Sequence, residues 1–566
     1  MTHADHENSD NEPPRAHNSC LDNNQDVRSD GFRDTLVPAE FTASESPTPR
    51  DKAVLIPRPG FTSNGKTDCF QPAQTRFKNN AQLDAGWITN TCADVTDEDT
   101  VRSLDDALHD GMIASAGDNS PLFLPRDKLK SLITLETIRE ELNRCTPSSN
   151  TLETARIICE GKFPRRKIFA ILCMMSKVPE IESFIQEKVS DIDLPLLFDS
   201  HPKKHVFLRH NRGSKNKPQT PLALFQGASW KNIDRDHFRN LQWQFLAPYF
   251  SLNFHPNQRS RHWKLETQQI LPFVKDKPNM GIEFAAGLRE GGFSFVRKII
   301  IHPAHYNHKS NNGSPCFAVK ELKSRPDQGL KEIQALLRFD EQPHDHLIRL
   351  LAIYEHRDRL NMIFPWAEDG DLENFWKTNS LPPCQNHEFA MWMSKQMLGL
   401  ASALRIIHHP NNVKGLDGQD SKTHGRHGDI KPTNILWFRS PGPEGSLGIL
   451  KISDFGFAEF HAERSKSRGN IQGLTDIYRA PELEVEGLVS PRYDIWSFGC
   501  VLLEFAVWCL MGHDGISRFT EARFQDSTAE IQEDNFFNFD KRNDRFAETK
   551  PSMDEVSTFP NCSRLD

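Results

Sequence analysis

The sequence predicts an α+β fold, with a small group of strands placed ahead of a mainly helical region. Three observations carry this. The short apolar segments Val296–Ile301, Phe317–Lys320 and Leu360–Phe364 fall close together, as strands of one sheet would. Long helical patterns follow: Glu388–His409 sets Met393, Met397, Leu400, Leu404 and Ile407 on one face, and Ile495–Met511 is a long apolar run. Upstream, Leu129, Leu132, Ile133, Leu135, Ile138 and Leu142 fall at helical spacings, so a helical module precedes the sheet.

Composition sets the outer limits. Of 566 residues, 37% are hydrophobic and 26% charged, with 36 prolines, which suggests a globular part joined to a disordered one. The formal net charge of −8 gives no basic field, so nucleic acid is not expected as a partner. The eleven cysteines are scattered without a C-x-x-C pair, which fits a reducing, intracellular setting better than a disulfide or zinc framework. The N-terminus lacks a basic region followed by an apolar one, so no signal peptide is expected. Ile495–Met511 contains Ser497 and Glu504 and directly follows Asp494, which favours a buried core helix over a membrane span. The expectation is an intracellular protein, cytoplasmic or nuclear, that does not act at a membrane.

Taken in order, residues 1–125 are rich in Asn, Asp, Ser, Thr and Pro, with apolar residues only singly, and are expected to be disordered. Residues 126–275 are expected to form the helical module, of unknown partner and function. Lys203–Lys217 holds six basic residues but no interleaved aromatics, so a solvated loop is preferred to a nucleic-acid site. The aromatic stretch Trp230, Phe238, Trp243, Phe245, Tyr249 and Phe250 reads as core packing. His344–Leu350 and Leu360–Phe364 read as consecutive strands. Residues 410–425 read as a surface insertion.

The chemistry concentrates in residues 427–456: His427-Gly-Asp-Ile-Lys-Pro-Thr-Asn434, then Lys451-Ile-Ser-Asp-Phe-Gly456. Two carboxylates, a lysine and an asparagine in two tight turns suit a triphosphate held with magnesium and an aligned hydroxyl. This stretch resembles the catalytic loop and metal-binding turn of eukaryotic protein kinases, of the serine/threonine type. Flanking segments agree: Gly291-Gly-Phe-Ser-Phe-Val296, Phe317-Ala-Val-Lys320, Thr475-Asp-Ile-Tyr-Arg-Ala-Pro-Glu482 and Tyr493-Asp-Ile-Trp-Ser-Phe-Gly499 stand in family order. The combined pattern is similar to expanded kinase families of filamentous fungi.

The resemblance covers 281–555, with 556–566 as a tail, and implies a two-lobed fold: a small antiparallel sheet lobe over a mainly helical large lobe. It implies ATP and Mg2+ as cofactors and a protein substrate phosphorylated on serine or threonine, with Phe457 favouring serine. By implication Asp429 accepts the substrate hydroxyl's proton, Lys431 offsets charge on the transferring phosphate, and Thr475 bonds both. Asn434 and Asp454 hold the metal. Gly291, Val296, Ala318, Lys320, Ala367 and Leu436 bind the nucleotide, with Phe364 at the back of the pocket and Glu332 as ion-pair partner of Lys320. Asp494 holds the catalytic-loop backbone.

Three departures stand out. Arg289 and Ser294 occupy positions where the family carries glycine. Gly428 replaces the arginine that usually precedes the catalytic aspartate, which suggests activity independent of activation-segment phosphorylation. Residues 512–566 offer one or two helices at most and no arginine in the usual context to pair with Glu482, so the large lobe is expected to be truncated. The alternative is a pseudokinase or ATP-binding scaffold acting through the helical module.

Overall fold

The computed structural model describes residues 103–555, except 117–118, 148–149, 200–205, 210–219, 253–260, 276–288, 291–293, 309–315, 323–325, 341, 380–386, 411–423, 440–446, 462–466, 469–476, 530–531 and 541–545. The expectations for residues 1–102, most of the 203–217 loop, most of the 410–425 insertion, Gly291, Thr475 and the tail lie outside the described residues.

Order begins earlier than composition suggests. Helix α1 (Leu104–Asp110) is capped by the Ser103 hydroxyl, which accepts from the Asp106 N–H. The hairpin of β1 (Ile113–Ala114) and β2 (Leu122–Phe123) follows. Disorder through 125 is thereby corrected: Leu108 and Phe123 are fully buried, and two anchors suffice where no period is visible.

The helical module continues with α2 (Arg126–Leu132), α3 (Leu135–Cys145), α4 (Thr151–Cys159), α5 (Arg166–Met174) and α6 (Ile181–Gln186). Thr134 and Thr137 form a reciprocal cap at the start of α3. Asp191 caps α5, accepting from the Lys167 and Ile168 N–H groups. A three-stranded sheet, β3 (Leu197–Asp199), β4 (Val206–Arg209) and β5 (Thr220–Pro221), precedes α7 (Asn232–Leu241). Trp230, Phe238 and Phe245 lie in this core, with Phe207 edge-on to Phe238 and Phe225 edge-on to Phe238 and Trp230, while Tyr249 carries the Arg126 guanidinium over its ring.

The module ends before 275. Strands β6 (Arg261–Lys264) and β7 (Phe273–Val274) join the sheet of the next lobe instead. That sheet also holds β8 (Arg289–Glu290), β9 (Ser294–Ile301), β10 (Cys316–Leu322), β11 (Ala352–His356) and β12 (Arg359–Pro365). Its order is β6-β11-β12-β10-β9-β7, with β8 also on β9. β6 runs parallel to β11; the other pairs are antiparallel. Side chains alternate across it. Ile299, Ile301, Phe317, Val319 and Ile363 face a core built with Phe250, Leu252 and Phe273, whereas Met362 and Phe364 face the cleft core. His305 ties the module on: its Nε2 accepts from the Arg126 N–H at 3.2 Å and its Nδ1 donates to the Pro248 carbonyl at 2.9 Å. Residues 344–350 form no strand, correcting that expectation. Their apolar side chains are buried because the segment docks on the large lobe, Ile348 N–H donating to the Ile452 carbonyl.

Helix α8 (Pro326–Asp340) packs on the cleft face. Below lie α9 (Leu372–Thr378) and α10 (His387–His408), with paired strands β13 (His424–Arg426), β14 (Ile435–Phe438), β15 (Ile449–Ile452) and β16 (Glu459–His461). Then come β17 (Ser467–Arg468), α11 (Pro481–Glu486), β18 (Leu488–Val489) and α12 (Pro491–Gln525). Among the described residues α12 alone is long and apolar enough to cross a membrane, by length and composition. It bends at Gly512, where φ is +71°, and it buries Asp494, Ser497, Glu504 and Arg523.

After α12 the chain makes a hairpin, β19 (Phe537–Asp540) and β20 (Phe546–Thr549), and a short helix, α13 (Ser552–Glu555). Of the one or two further helices expected in residues 512–566, α13 forms at Ser552–Glu555 and the second arm of α12 adds helix up to Gln525, whereas Phe537 and Phe546 lie in a hairpin that was not foreseen. Phe536 and Phe519 pack with Cys500 and Val507 as a separate core.

Candidate active site

The cleft between the sheet and the helices gathers Lys320, Glu332, Asp429, Lys431, Asn434 and Asp454. β10 presents Lys320 on the cleft face, opposite Val296 on β9 and Met362 on β12. Its Nζ lies 2.6 Å from Glu332 Oε1 on α8 and 2.8 Å from Asp454 Oδ1. Burial works against this ammonium, but the two carboxylates outweigh it and hold its pKa above the usual lysine value. Burial raises the Glu332 pKa, and Lys320 only partly offsets that. Asp454 is also pushed up by burial, yet Lys320 overrides this and pulls it down to about 2. Exposure separates the carboxylates: the Glu332 side chain is 5% exposed and that of Asp454 43%, so only Asp454 opens onto the cleft.

Asp454 sits at φ +62°, a left-handed conformation uncommon outside glycine and typical of functional turns. The turn is held from behind. Phe455 is fully buried, its ring 5.0 Å from both Phe339 of α8 and His427. Gly456 N–H donates to Asp454 Oδ1, and the His427 ring bonds the Ser453 carbonyl.

In the catalytic loop, Asp429 is buried and its Oδ2 lies 2.7 Å from Lys431 Nζ. Asn434 Nδ2 donates to the Asp429 carbonyl and to Oδ2, at 2.8 and 3.0 Å. The amide nitrogen is thereby committed, which leaves the amide oxygen as the donor atom for a cation. Asp494 of α12 accepts from the His427 and Gly428 N–H groups at 2.7 and 2.8 Å and from His408 at 2.8 Å. Burial raises the Asp494 pKa, but these partners outweigh it and keep the carboxylate ionised. Gly428 has φ +84°, and a Cβ there would meet the Phe457 carbonyl at 2.9 Å, so glycine is what this turn accommodates without strain.

Val296, Ala318 and Leu436 are each half-buried at the cleft, while their strand neighbours Phe317, Val319, Ile435 and Trp437 are sealed in cores. Phe364 pairs in register with Ala318. Ala367 follows the end of β12, its carbonyl accepting from the Gly370 N–H. Arg289 and Ser294 bracket the turn expected to cover phosphates, on β8 and β9. Among the described residues no group of three or more His, Cys, Asp or Glu could hold a metal. One carboxylate and one amide oxygen, Asp454 and Asn434, still suit magnesium, which is commonly held by one or two protein oxygens with substrate phosphates and water.

Sequence reasoning missed the ionic cluster below. Arg523 Nη2 bonds Glu504 Oε1 at 3.0 Å, and Tyr478 Oη donates to Glu504 Oε2 at 2.7 Å. Arg479 Nη2 bonds Glu533 Oε2 at 2.6 Å, and the buried Lys550 ammonium donates to the Arg523 and Glu533 carbonyls. Arg523 thus pairs with Glu504.

A lysine–glutamate pair on the sheet side of a two-lobed cleft, reaching an open carboxylate at the turn opposite, and a buried aspartate beside a lysine define a phosphoryl-transfer fold of the kinase class. The protein kinase domain family matches residues 291–553. A probable receptor-like protein kinase of Arabidopsis thaliana is 32% identical over 222 residues, 38% of this chain and 39% of that protein. The serine/threonine-protein kinase ULK3 of Homo sapiens is 30% identical over 190 residues, 33% of this chain and 34% of that protein. The chain spans less than two fifths of the length of either. Residues 291–553 are a protein kinase domain of the eukaryotic protein kinase superfamily, resembling serine/threonine kinases.

Proposed function

We propose that the chain is an active serine/threonine protein kinase that transfers the γ-phosphate of ATP to a protein hydroxyl. The observation that carries this is the closed Lys320–Glu332 pair at 2.6 Å with Asp454 on the same ammonium. Lys320 binds inner phosphate oxygens and Glu332 keeps it oriented. Val296, Ala318 and Leu436 flank the base, and Ala367 offers backbone groups to its edge. Asp454 and Asn434 would hold magnesium, which when bound would supply charge neutralisation at the phosphates. Asp429 accepts the hydroxyl proton as the new P–O bond forms and the bond to the β-phosphate oxygen breaks. Lys431 moves onto the transferring phosphate, and Thr475 completes that corner. Phe457 favours serine as acceptor.

Gly428 stands in place of the arginine that would read a phosphorylated activation segment, so activity does not depend on that modification. The similarity to filamentous-fungal families and an intracellular location, cytoplasmic or nuclear, belong to this reading, as do the absence of a nucleic-acid or membrane partner and an unidentified partner for the helical module. The scaffold alternative is less favoured, because a binding-only cleft has no use for Asp429, Asn434 and Asp454 together.

The test is phosphate transfer from labelled ATP to a generic basic protein, comparing wild type with Asp429→Asn and Asp454→Asn. Wild-type transfer that falls at least 10²-fold in both folded variants, on the order of the loss of a preorganised polar group, supports the reading. Equal background transfer by all three folded proteins refutes it.

A further inference from the structure

We propose that Glu533 is a positioning residue for the protein substrate, acting through Arg479; this rests on the kinase reading above. Arg479 closes the segment that runs from the metal-binding turn to α11, four residues after Thr475. Three elements fix this end. From α12, Ser497 Oγ donates to the Tyr478 carbonyl at 2.7 Å, and Glu504 accepts from Tyr478 Oη. From α11, Glu484 Oε1 lies 3.4 Å from Arg479 Nε. From the segment after α12, Glu533 Oε2 takes Arg479 Nη2 at 2.6 Å.

Glu533 is itself held at its carboxylate, its N–H and its carbonyl. Its carboxylate accepts from Asn535 Nδ2 at 2.7 Å, its N–H donates to Ser527 Oγ at 3.1 Å, and its carbonyl accepts from Lys550 Nζ. Lys550 is fully buried and reaches back to the Arg523 carbonyl at 2.7 Å, joining the base of the hairpin to the end of α12. The Lys550 N–H donates to the Phe536 carbonyl, and Phe536 packs on Tyr478 with ring centroids 6.0 Å apart.

The hairpin segment therefore has a rigid grip on Arg479 that stability alone does not require. The Glu533 side chain is 42% exposed and that of Arg479 16%, and a pair so placed contributes little to folding. It does fix one orientation of residues 477–480 relative to the catalytic loop. One charge-assisted hydrogen bond from Arg479 to Glu533 and an ion-pair contact to Glu484 at 3.4 Å, on two different elements, are what geometric control needs. The nucleotide site is centred on Lys320, whose partners are Glu332 and Asp454, whereas Glu533 is held by Arg479, Asn535, Ser527 and Lys550.

The experiment measures steady-state kinetics with myelin basic protein as the probe substrate, for wild type, Glu533→Gln, Arg479→Ala and the double variant. Glu533→Gln keeps the side-chain shape and removes the charge. The expected result is a rise of about tenfold in KM for the protein substrate in each single variant, an unchanged KM for ATP, and a double variant no worse than Arg479→Ala. Unchanged protein KM in Glu533→Gln, additive losses, or a parallel rise in KM for ATP overturn the clamp while leaving the kinase reading intact. No transfer by folded wild type overturns the kinase reading, and the clamp with it. If Arg479→Ala fails to fold, Glu533→Gln alone decides.

Discussion

Two buried ionic clusters in this chain look alike on paper and differ in what they leave behind when broken. The cleft cluster holds one ammonium between two carboxylates, Lys320 with Glu332 and Asp454. The lower cluster holds a carboxylate between a guanidinium and a phenol, Glu504 with Arg523 and Tyr478. The first is open on one side, through Asp454. The second is sealed, with the Arg523 and Glu504 side chains 1% and 4% exposed and Arg523 between the rings of Phe519 and Phe536. Openness marks a place where something binds; sealing marks a place where the fold is fixed. Moreover, a carboxylate can take a proton when its partner is lost, whereas an arginine cannot shed one.

The comparison breaks most visibly in the sealed cluster. Glu504→Ala strands a buried guanidinium and should destabilise the protein by about 3–5 kcal/mol, read by urea denaturation. In the cleft, Lys320→Met leaves Glu332, whose pKa burial already raises, to take up a proton rather than persist as a bare charge. Transfer should fall on the order of 10²–10³-fold, with a smaller stability loss than Glu504→Ala. If the two variants lose equal stability, the distinction between the clusters fails.

A third buried polar group sharpens the contrast by titrating. Burial lowers the His305 pKa to about 4, against 6.5 ordinarily. Its folded value lies below its unfolded one, so its contribution is complete above pH 6.5 and drains away as pH falls toward 4. The total is at most about 3 kcal/mol. His305→Gln should flatten the pH dependence of stability over that window, and an unchanged slope would place the titration elsewhere. The smallest effect belongs to the backbone. Gly428→Ala meets a positive φ and the Phe457 carbonyl, and should cost about 1–2 kcal/mol in denaturant titration. A neutral Ala variant would show that the turn relaxes freely.

The motif residues were legible because their chemistry is local: Asp429, Lys431 and Asn434 share one loop, and Asp454 follows one hairpin later. Lys320, Glu332 and Asp494 were legible through order along the chain. The departures from expectation are long-range. Arg261–Lys264 has no strand pattern of its own and becomes β6 only because β11 offers an edge. Arg523 finds Glu504 across the bend at Gly512, at a separation of 19 residues that no helical spacing rule covers. Residues 344–350 carry a strand-like composition but bury their side chains as a docked loop. Asp371 shows the opposite case, a local cap on α9 through the Asn374 N–H that its position before Leu372 makes plain.

The edge strands supplied from outside residues 291–553 bear on how the sheet avoids pairing with other molecules. β6 covers the outer edge of β11, and β7 covers part of β9. Open strand edges beside an apolar face are templates for pairing between molecules. Cutting the chain at the kinase family's boundary would bare both edges together with Ile299, Ile301, Phe317 and Val319, the ingredients of aggregation. For this chain, the unit that carries the kinase motifs is smaller than the unit that covers its own sheet edges.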